Sequence, residues 1–144
     1  MPPARCLPGH PTGPRGWTKF VQTPELLVVL MEEVPGFRQV FLDGRRHPQN
    51  PNPSWLGHSV GWWEGDTLVV DTVGYNDRGW LNMFPVSEKL QVTERFTGSE
   101  YGLMAYTAVF DDPEVFESPW THKRMLDVAP QEEIMETVCE NNKW

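Results

Sequence analysis

The sequence predicts an all-β fold, an antiparallel up-and-down β-barrel of lipocalin-like outline with about eight or nine strands and two long loops. Short runs of β-forming residues alternate with turn residues, and the 14 prolines and 12 glycines are scattered between those runs, which argues against long helices. A length of 144 residues suits one domain, residues 1–144. Successive hairpins place neighbouring strands side by side, and closing the sheet removes its exposed edges. A β-sandwich is the alternative.

The first third of the chain predicts an irregular arm followed by three strands. Residues 1–16 are rich in Pro and Gly and form the arm. Thr18–Gln22 is the first strand. Leu26–Glu32 and Phe37–Leu42 flank the turn sequence Val34-Pro35-Gly36, which predicts a hairpin.

The rest of the chain predicts three further strand pairs. His58–Trp63 and Thr67–Thr72 flank Glu64-Gly65-Asp66, in which Gly65 can supply the positive φ of a tight turn. Lys89–Phe96 and Leu103–Phe110 form the next hairpin. After a predicted helical turn at Glu114–Glu117, the last pair is Trp120–Asp127 and Glu133–Cys139.

Two long loops, residues 43–57 and 73–88, are the best candidates for function because long loops without regular structure are uncommon. Both mix aromatic rings with hydrogen-bonding side chains, as small-molecule sites do. Alternatively, Asn, Asp and Pro only build turns here, and Trp55 and Trp80 plug the barrel ends. The predicted ligand-binding residues are Asp43, Arg45, Trp55, Tyr75, Asp77 and Trp80 in these loops, with Trp62 and Tyr106 in the predicted strands His58–Trp63 and Leu103–Phe110.

One carboxylate lies on an apolar strand face. Glu94 shares its face with Leu90, Val92 and Phe96 in the predicted strand, because side chains alternate across a strand. Such a group is costly unless it is paired, so it is either an interior acid or base, or one half of a structural ion pair. The catalytic interpretation takes Glu94 with His58 or His47 as proton partner and Asn76 as a substrate-orienting residue.

Charge and motif content exclude several classes of function. The net charge of −8 repels phosphate backbones and anionic lipid headgroups, so nucleic acid and membrane surfaces are poor partners. No apolar run approaches the ~20 residues of a membrane span, and Met1 is followed by no apolar export signal. Neither a phosphate-binding loop nor a nucleophile elbow occurs. The spacing of the four histidines indicates no metal site, and we expect no cofactor.

The two cysteines, Cys6 and Cys139, lie close to the two ends of the chain. Their spacing fits no zinc or redox motif. They form either a disulfide, which implies an oxidising compartment, or two free buried thiols.

The run DGRRHPQNPNPSWLGHSVGWWEGDTLVVDTVGYNDRGWLN, the following LQVTERF and the later DDPEVFESPWT carry a resemblance. They are similar to a family of small, exported, functionally uncharacterised bacterial proteins. The resemblance covers Cys6 to Asn141 and implies a periplasmic or extracellular location, which fits a Cys6–Cys139 bridge. Related sequences carry His-Pro-His-Ser where this chain has Phe84-Pro85-Val86-Ser87, and some carry His at Gln91. Any chemistry of those histidines is lost here.

Three functions are open at this point. The first is binding of a small apolar or aromatic molecule in a barrel cavity of several hundred Å³, the usual size of a ligand pocket. The second is a cofactor-independent lyase, isomerase or hydrolase that uses general acid–base catalysis in that cavity. The third is a structural or adhesive exported domain with an exposed aromatic patch.

Overall fold

The computed structural model describes residues 13–14, 16–32, 36–81 and 83–135, and these form an all-β, barrel-like fold. One curled sheet has eight strands, and a two-stranded ribbon stands beside it. In sheet order, the eight strands are β1 (Thr18–Gln22), β2 (Leu26–Met31), β3 (Phe37–Phe41), β4 (His58–Glu64), β5 (Thr67–Val73), β8 (Gln91–Gly98), β9 (Leu103–Asp111) and β10 (Trp120–Asp127). The ribbon strands are β6 (Trp80–Leu81) and β7 (Phe84–Pro85).

The predicted hairpins are confirmed where strands follow each other closely. β2 pairs antiparallel with β3, β4 with β5, and β8 with β9. Glu64 faces Thr67 across a two-residue turn, and Gly65 has a φ of 59° there, in the region that favours glycine. The predicted helical turn after β9 is a single hydrogen-bonded turn in which Phe116 N–H donates to the Asp112 carbonyl.

One connection differs from the predicted run of hairpins, because β3 and β4 pair in parallel. A parallel pair needs a connection long enough to return to the starting end of the sheet, about a dozen residues or more. Residues 42–57 provide that length. This crossover is anchored beside the β5 end, where Ser54 N–H donates to the Gly74 carbonyl and Asn76 N–H donates to the Ser54 carbonyl.

The sheet does not close within the described residues. β1 and β10 are its two edge strands, and neither has a second neighbour among the described strands. Residues 132–135 have no regular structure, so the predicted strand Glu133–Cys139 is absent over its described part. The remainder of that segment, together with Cys6, Cys139 and most of the predicted arm, lies outside the described residues. The described part also contains no helix that is long and apolar enough to span a membrane.

The concave face of the sheet holds the hydrophobic core, whose fully buried members include Leu27, Val40, Val92 and Phe110. Gly61 faces this core at a point where no side chain fits. A Cβ atom there would lie 2.8 Å from Val40 Cγ1 and 3.2 Å from the Val69 carbonyl oxygen. The absence of a side chain therefore lets β3 approach β4 closely across the parallel pair.

We predict that Gly61→Ala lowers the free energy of unfolding by about 1–3 kcal/mol, because the added methyl overpacks the core. Gly98→Ala is the matched control, since a Cβ at Gly98 meets nothing within 4 Å. That variant is expected to be unchanged or up to about 1 kcal/mol more stable. Urea unfolding of the two variants checks this, and equal stabilities would contradict the close packing at Gly61.

Candidate functional site

The interior contains a buried ion pair between β3 and β8. Arg38 Nη2 donates to Glu94 Oε2 at 2.5 Å, and the Glu94 side chain is only 1% exposed. The same guanidinium donates from Nε to Ser59 Oγ at 2.9 Å and from Nη2 to Thr72 Oγ1 at 2.6 Å. Ser59 and Thr72 are hydrogen-bonded to each other at 2.8 Å. Arg38 thus reaches across β4 and β5 to its carboxylate.

Two buried tyrosines complete this network. Tyr106 donates its hydroxyl hydrogen to Glu94 Oε1 at 3.0 Å. Burial raises the pKa of Tyr106, and the adjacent Glu94 charge raises it further. Burial likewise raises the pKa of Tyr75, which hydrogen-bonds to Thr72. Burial is the largest single influence on the pKa of Arg38 and lowers it, but the charge and hydrogen bond of Glu94, together with smaller contributions from Tyr75 and Tyr106, make the net shift upward. Both phenols therefore stay neutral donors and Arg38 stays charged.

Core side chains pack closely around this network. Beside Arg38 and Glu94, the enclosed space measures only about 20 Å³. That is too small for an organic ligand, since pockets of this kind measure about 300–1,000 Å³. The geometry of Glu94 thus matches the structural ion pair that the sequence left open as an alternative.

We predict that Tyr106→Phe lowers the free energy of unfolding by about 1–3 kcal/mol, because Glu94 Oε1 then lacks its donor in a buried place. Tyr101→Phe removes the same hydroxyl from a side chain that is 95% exposed, and its stability should stay within about 0.5 kcal/mol of the parent. Thermal or urea unfolding measures both. Similar effects from the two changes would show that the Glu94 contact contributes nothing.

A second polar cluster lies on the convex face, where residues 43–57 cross the sheet. His47 Nε2 lies 2.9 Å from Asp71 Oδ2, and His47 Nδ1 lies 3.0 Å from His58 Nδ1. Gln91 donates to both oxygens of Asp71 at 3.0 Å, and Thr93 donates to Oδ1 at 2.9 Å. Asp71 is buried by these partners. A carboxylate held by four hydrogen bonds fixes the His47 ring, and His47 in turn fixes His58.

An aromatic ring and an ion pair border this cluster. Phe41 stacks on His58 with ring centroids 5.4 Å apart, and the Arg45 guanidinium lies 3.8 Å from the centre of the Phe41 ring. Arg45 is paired with Asp43 through Nη2–Oδ2 at 2.5 Å, and this pair is partly exposed. Partial burial lowers the pKa of His58, with smaller contributions in the same direction from His47 and Arg45. His58 is therefore a neutral imidazole at neutral pH.

The structure separates Glu94 from the two histidines that the catalytic interpretation joined to it. Thr72 contacts the Arg38–Glu94 network, whereas its chain neighbour Asp71 contacts His47. Adjacent strand residues point to opposite faces, so the sheet itself lies between the two clusters. A proton cannot pass directly between Glu94 and either histidine, which corrects that pairing. Asn76 is in neither cluster, since its side-chain oxygen accepts the Arg78 N–H in a local turn.

The predicted ligand-binding residues are distributed among several places. Asp43 and Arg45 border the convex-face cluster, while Tyr75 and Tyr106 belong to the interior network. Trp62 is 43% exposed on the convex face and donates to Glu64 Oε1 at 3.1 Å. Of the others, Trp55 and Trp80 are half-buried in the two long loops, and Asp77 is exposed.

A groove runs between the two edge strands. Its volume is about 1190 Å³, and its walls come from β1, β10 and residues 128–134. Trp17, Phe20 and Leu126 supply much of the apolar wall. Two buried polar atoms of groove-lining residues, Arg124 Nε and Glu32 Oε2, have no hydrogen-bond partner among the described residues. The rest of the Arg124 guanidinium donates to the Pro14 carbonyl and lies over the Tyr106 ring.

The sequence did not predict the residues around which the interior network, the convex-face cluster and the groove are built. Nothing in the sequence indicated that Arg38 points into the interior. Phe37 and Phe41 lie on the other face of β3, and that face is therefore the more apolar of the two. Asp71 and Gln91 come together only across β5 and β8, which the strand register reveals and the linear order does not. The groove could not be predicted either, because its position depends on β1 and β10 being the edge strands of the sheet.

Comparison of the chain with protein-family models, with curated proteins and with solved structures gives no match in any of the three. Function is therefore argued from geometry alone. Among residues 13–14, 16–32, 36–81 and 83–135, no group of three or more histidine, cysteine or acidic side chains is arranged to hold a metal ion.

The lowered pKa of His58 gives a pH prediction. The imidazole starts from 6.5 in the unfolded chain and titrates below that value when folded, so the unfolded state binds more protons in this window. The contribution of His58 to stability is complete above about pH 7.5 and is lost as the pH falls through 6.5 toward the folded pKa.

We predict that the free energy of unfolding falls less between pH 7.5 and 5 in His58→Asn than in the parent protein. His122→Asn, which removes an exposed histidine of β10, should keep the parental profile. Urea unfolding at several pH values gives the three curves. Coincident curves for the parent and His58→Asn would contradict the burial of a neutral His58.

Proposed function

We propose that this protein binds a small, mostly apolar or aromatic molecule in the groove between β1 and β10. The observation that carries the proposal is a groove of about 1190 Å³ whose lining residues Arg124 and Glu32 each keep a buried polar atom, Nε and Oε2, without a partner in the described part of the chain. Buried polar atoms are nearly always hydrogen-bonded, so these two require partners that the described residues do not supply, and we assign that role to the ligand.

The lining of the groove supports a small-molecule ligand, and its volume of about 1190 Å³ is large enough to admit one. Ligand pockets of about 300–1,000 Å³ are apolar for the most part, with a few polar groups that fix orientation. Trp17, Phe20 and Leu126 supply apolar walls here. Arg124 Nε requires a hydrogen-bond acceptor and Glu32 Oε2 requires a donor. The proposed ligand therefore has an apolar or aromatic body with one acceptor and one donor group.

The location favours the groove over the interior that the sequence suggested. Core side chains pack around the Arg38–Glu94 pair, and the space beside that pair measures only about 20 Å³. The unpaired edges of the sheet, by contrast, leave a space that no described strand occupies. The resemblance to exported bacterial proteins supports a periplasmic or extracellular site of binding, and a Cys6–Cys139 bridge fits that location.

We predict that 1-anilinonaphthalene-8-sulfonate, an aromatic probe with acceptor oxygens and one N–H donor, binds in one equivalent with a Kd in the micromolar range. Ala129→Trp places a large ring in the groove lining and should weaken binding at least tenfold. Met125→Trp introduces the same ring on the neighbouring solvent-facing position of β10 and should leave the Kd unchanged. Fluorescence titration measures all three proteins.

Native mass spectrometry of the purified protein complements the titration. A co-purified small molecule that is absent from Ala129→Trp and present in Met125→Trp identifies the ligand class directly. Equal affinities of the two tryptophan variants for the probe, with no co-purified molecule, would overturn the groove as the binding site. A mass two hydrogens below that of the reduced chain checks the disulfide in the same experiment.

A further inference from the structure

We propose that the convex-face cluster Asp71–His47–His58 is a proton-transfer site in which His58 Nε2 acts as a general base. It would abstract a proton from a planar, aromatic carbon acid that becomes anionic. The cluster lies on the opposite face of the sheet from the Arg38–Glu94 network, and no residue of it lines the groove between β1 and β10. It is therefore independent of the ligand-binding proposal.

The hydrogen bonds fix the tautomers of both imidazoles. Asp71 already accepts hydrogen bonds from Gln91 and Thr93, so the His47 ring donates to it through Nε2–H. In a neutral His47 ring, Nδ1 then carries a lone pair. The His58 Nδ1–H donates to that lone pair at 3.0 Å. This arrangement leaves His58 Nε2 with an unshared electron pair.

His58 has the surroundings that a general base requires. Its Nε2 has no hydrogen-bond partner among the described residues, and its pKa is lowered, so the ring is unprotonated near pH 7. When Nε2 takes a proton, positive charge spreads over the ring, and the chain of His47 and Asp71 stabilises it through the Nδ1–H bond. A carboxylate–histidine pair supports a base in the same way in hydrolytic triads.

The neighbours of His58 indicate the substrate class. Phe41 stacks on the imidazole, which provides an apolar wall suited to a flat ring. The Arg45 guanidinium, which is paired with Asp43, lies over Phe41 and places a cation close to the cluster. Proton abstraction creates negative charge on the substrate, and a nearby cation stabilises that charge more than it stabilises the neutral ground state.

The proposed step is tested with 5-nitrobenzisoxazole, a planar probe of general-base catalysis. His58 Nε2 takes the C3 proton, the C–H electron pair forms the nitrile as the N–O bond breaks, and the nitrophenolate is released. His58 then returns its proton to water. The product absorbs visible light, so kcat/KM follows from initial rates.

We predict that the parent protein accelerates this elimination above its buffer background, with a rate that rises with pH and levels off at an apparent pKa below 6.5. His58→Asn should lower kcat/KM at least tenfold. His122→Asn, in an exposed position on β10, should keep the parental rate. A parental rate equal to background, or one that His58→Asn leaves unchanged, would overturn the proposal.

His47 and Asp71 are positioning residues in this scheme, and a spectroscopic readout separates that role from a purely structural one. In ¹⁵N NMR of the imidazoles, the parent should show His58 as the Nδ1–H tautomer. Asp71→Asn should shift the apparent pKa of the elimination and the tautomer populations together while the protein stays folded. A His58 ring protonated on Nε2 in the parent at pH 7 contradicts the assignment.

Discussion

The ion pair between Arg38 and Glu94 is the interaction on which the shape of the sheet depends. β3 and β8 are three strand positions apart, about 14 Å in a flat sheet at ~4.7–4.9 Å for each step, yet their side chains meet at 2.5 Å. The long Arg38 side chain spans β4 and β5 to make this contact, and curling of the sheet shortens the distance it has to cover. Ser59, Thr72 and Tyr106 use the remaining hydrogen-bonding capacity of the pair, and full satisfaction is the condition under which buried charges are tolerated.

This interior network determines where function can be located. Because core side chains pack around the Arg38–Glu94 pair, the proposed ligand site lies in the groove at the sheet edges, where Arg124 Nε and Glu32 Oε2 have no partner among the described residues. The convex face holds a separate polar cluster, because Asp71 and Thr72 are adjacent in β5 and their side chains point to opposite faces of the sheet. One strand therefore supplies the Thr72 hydroxyl to the interior network and the Asp71 carboxylate to the convex-face cluster.

Much of the fold could be predicted from the sequence, because alternation and turn residues are local signals. The β4–β5 hairpin and the inward face of Glu94 follow from them. The parallel pairing of β3 with β4 does not, because it depends on the path of a 16-residue connection rather than on any local pattern. The partner of Glu94 was hidden because the apolar residues of β3 mark the other face, and Phe37 is 58% exposed while Arg38 points inward.

A double-mutant cycle at Arg38 and Glu94 tests most directly whether this pair acts as one unit. Arg38→Met and Glu94→Leu each leave a buried charged partner alone, and each should cost about 3–5 kcal/mol. Together they replace the pair by apolar groups of similar size. We expect the double variant to be more stable than the sum of the single losses implies, by at least about 2 kcal/mol. Losses that add to within about 0.5 kcal/mol would show that the pair does not hold the curled sheet together.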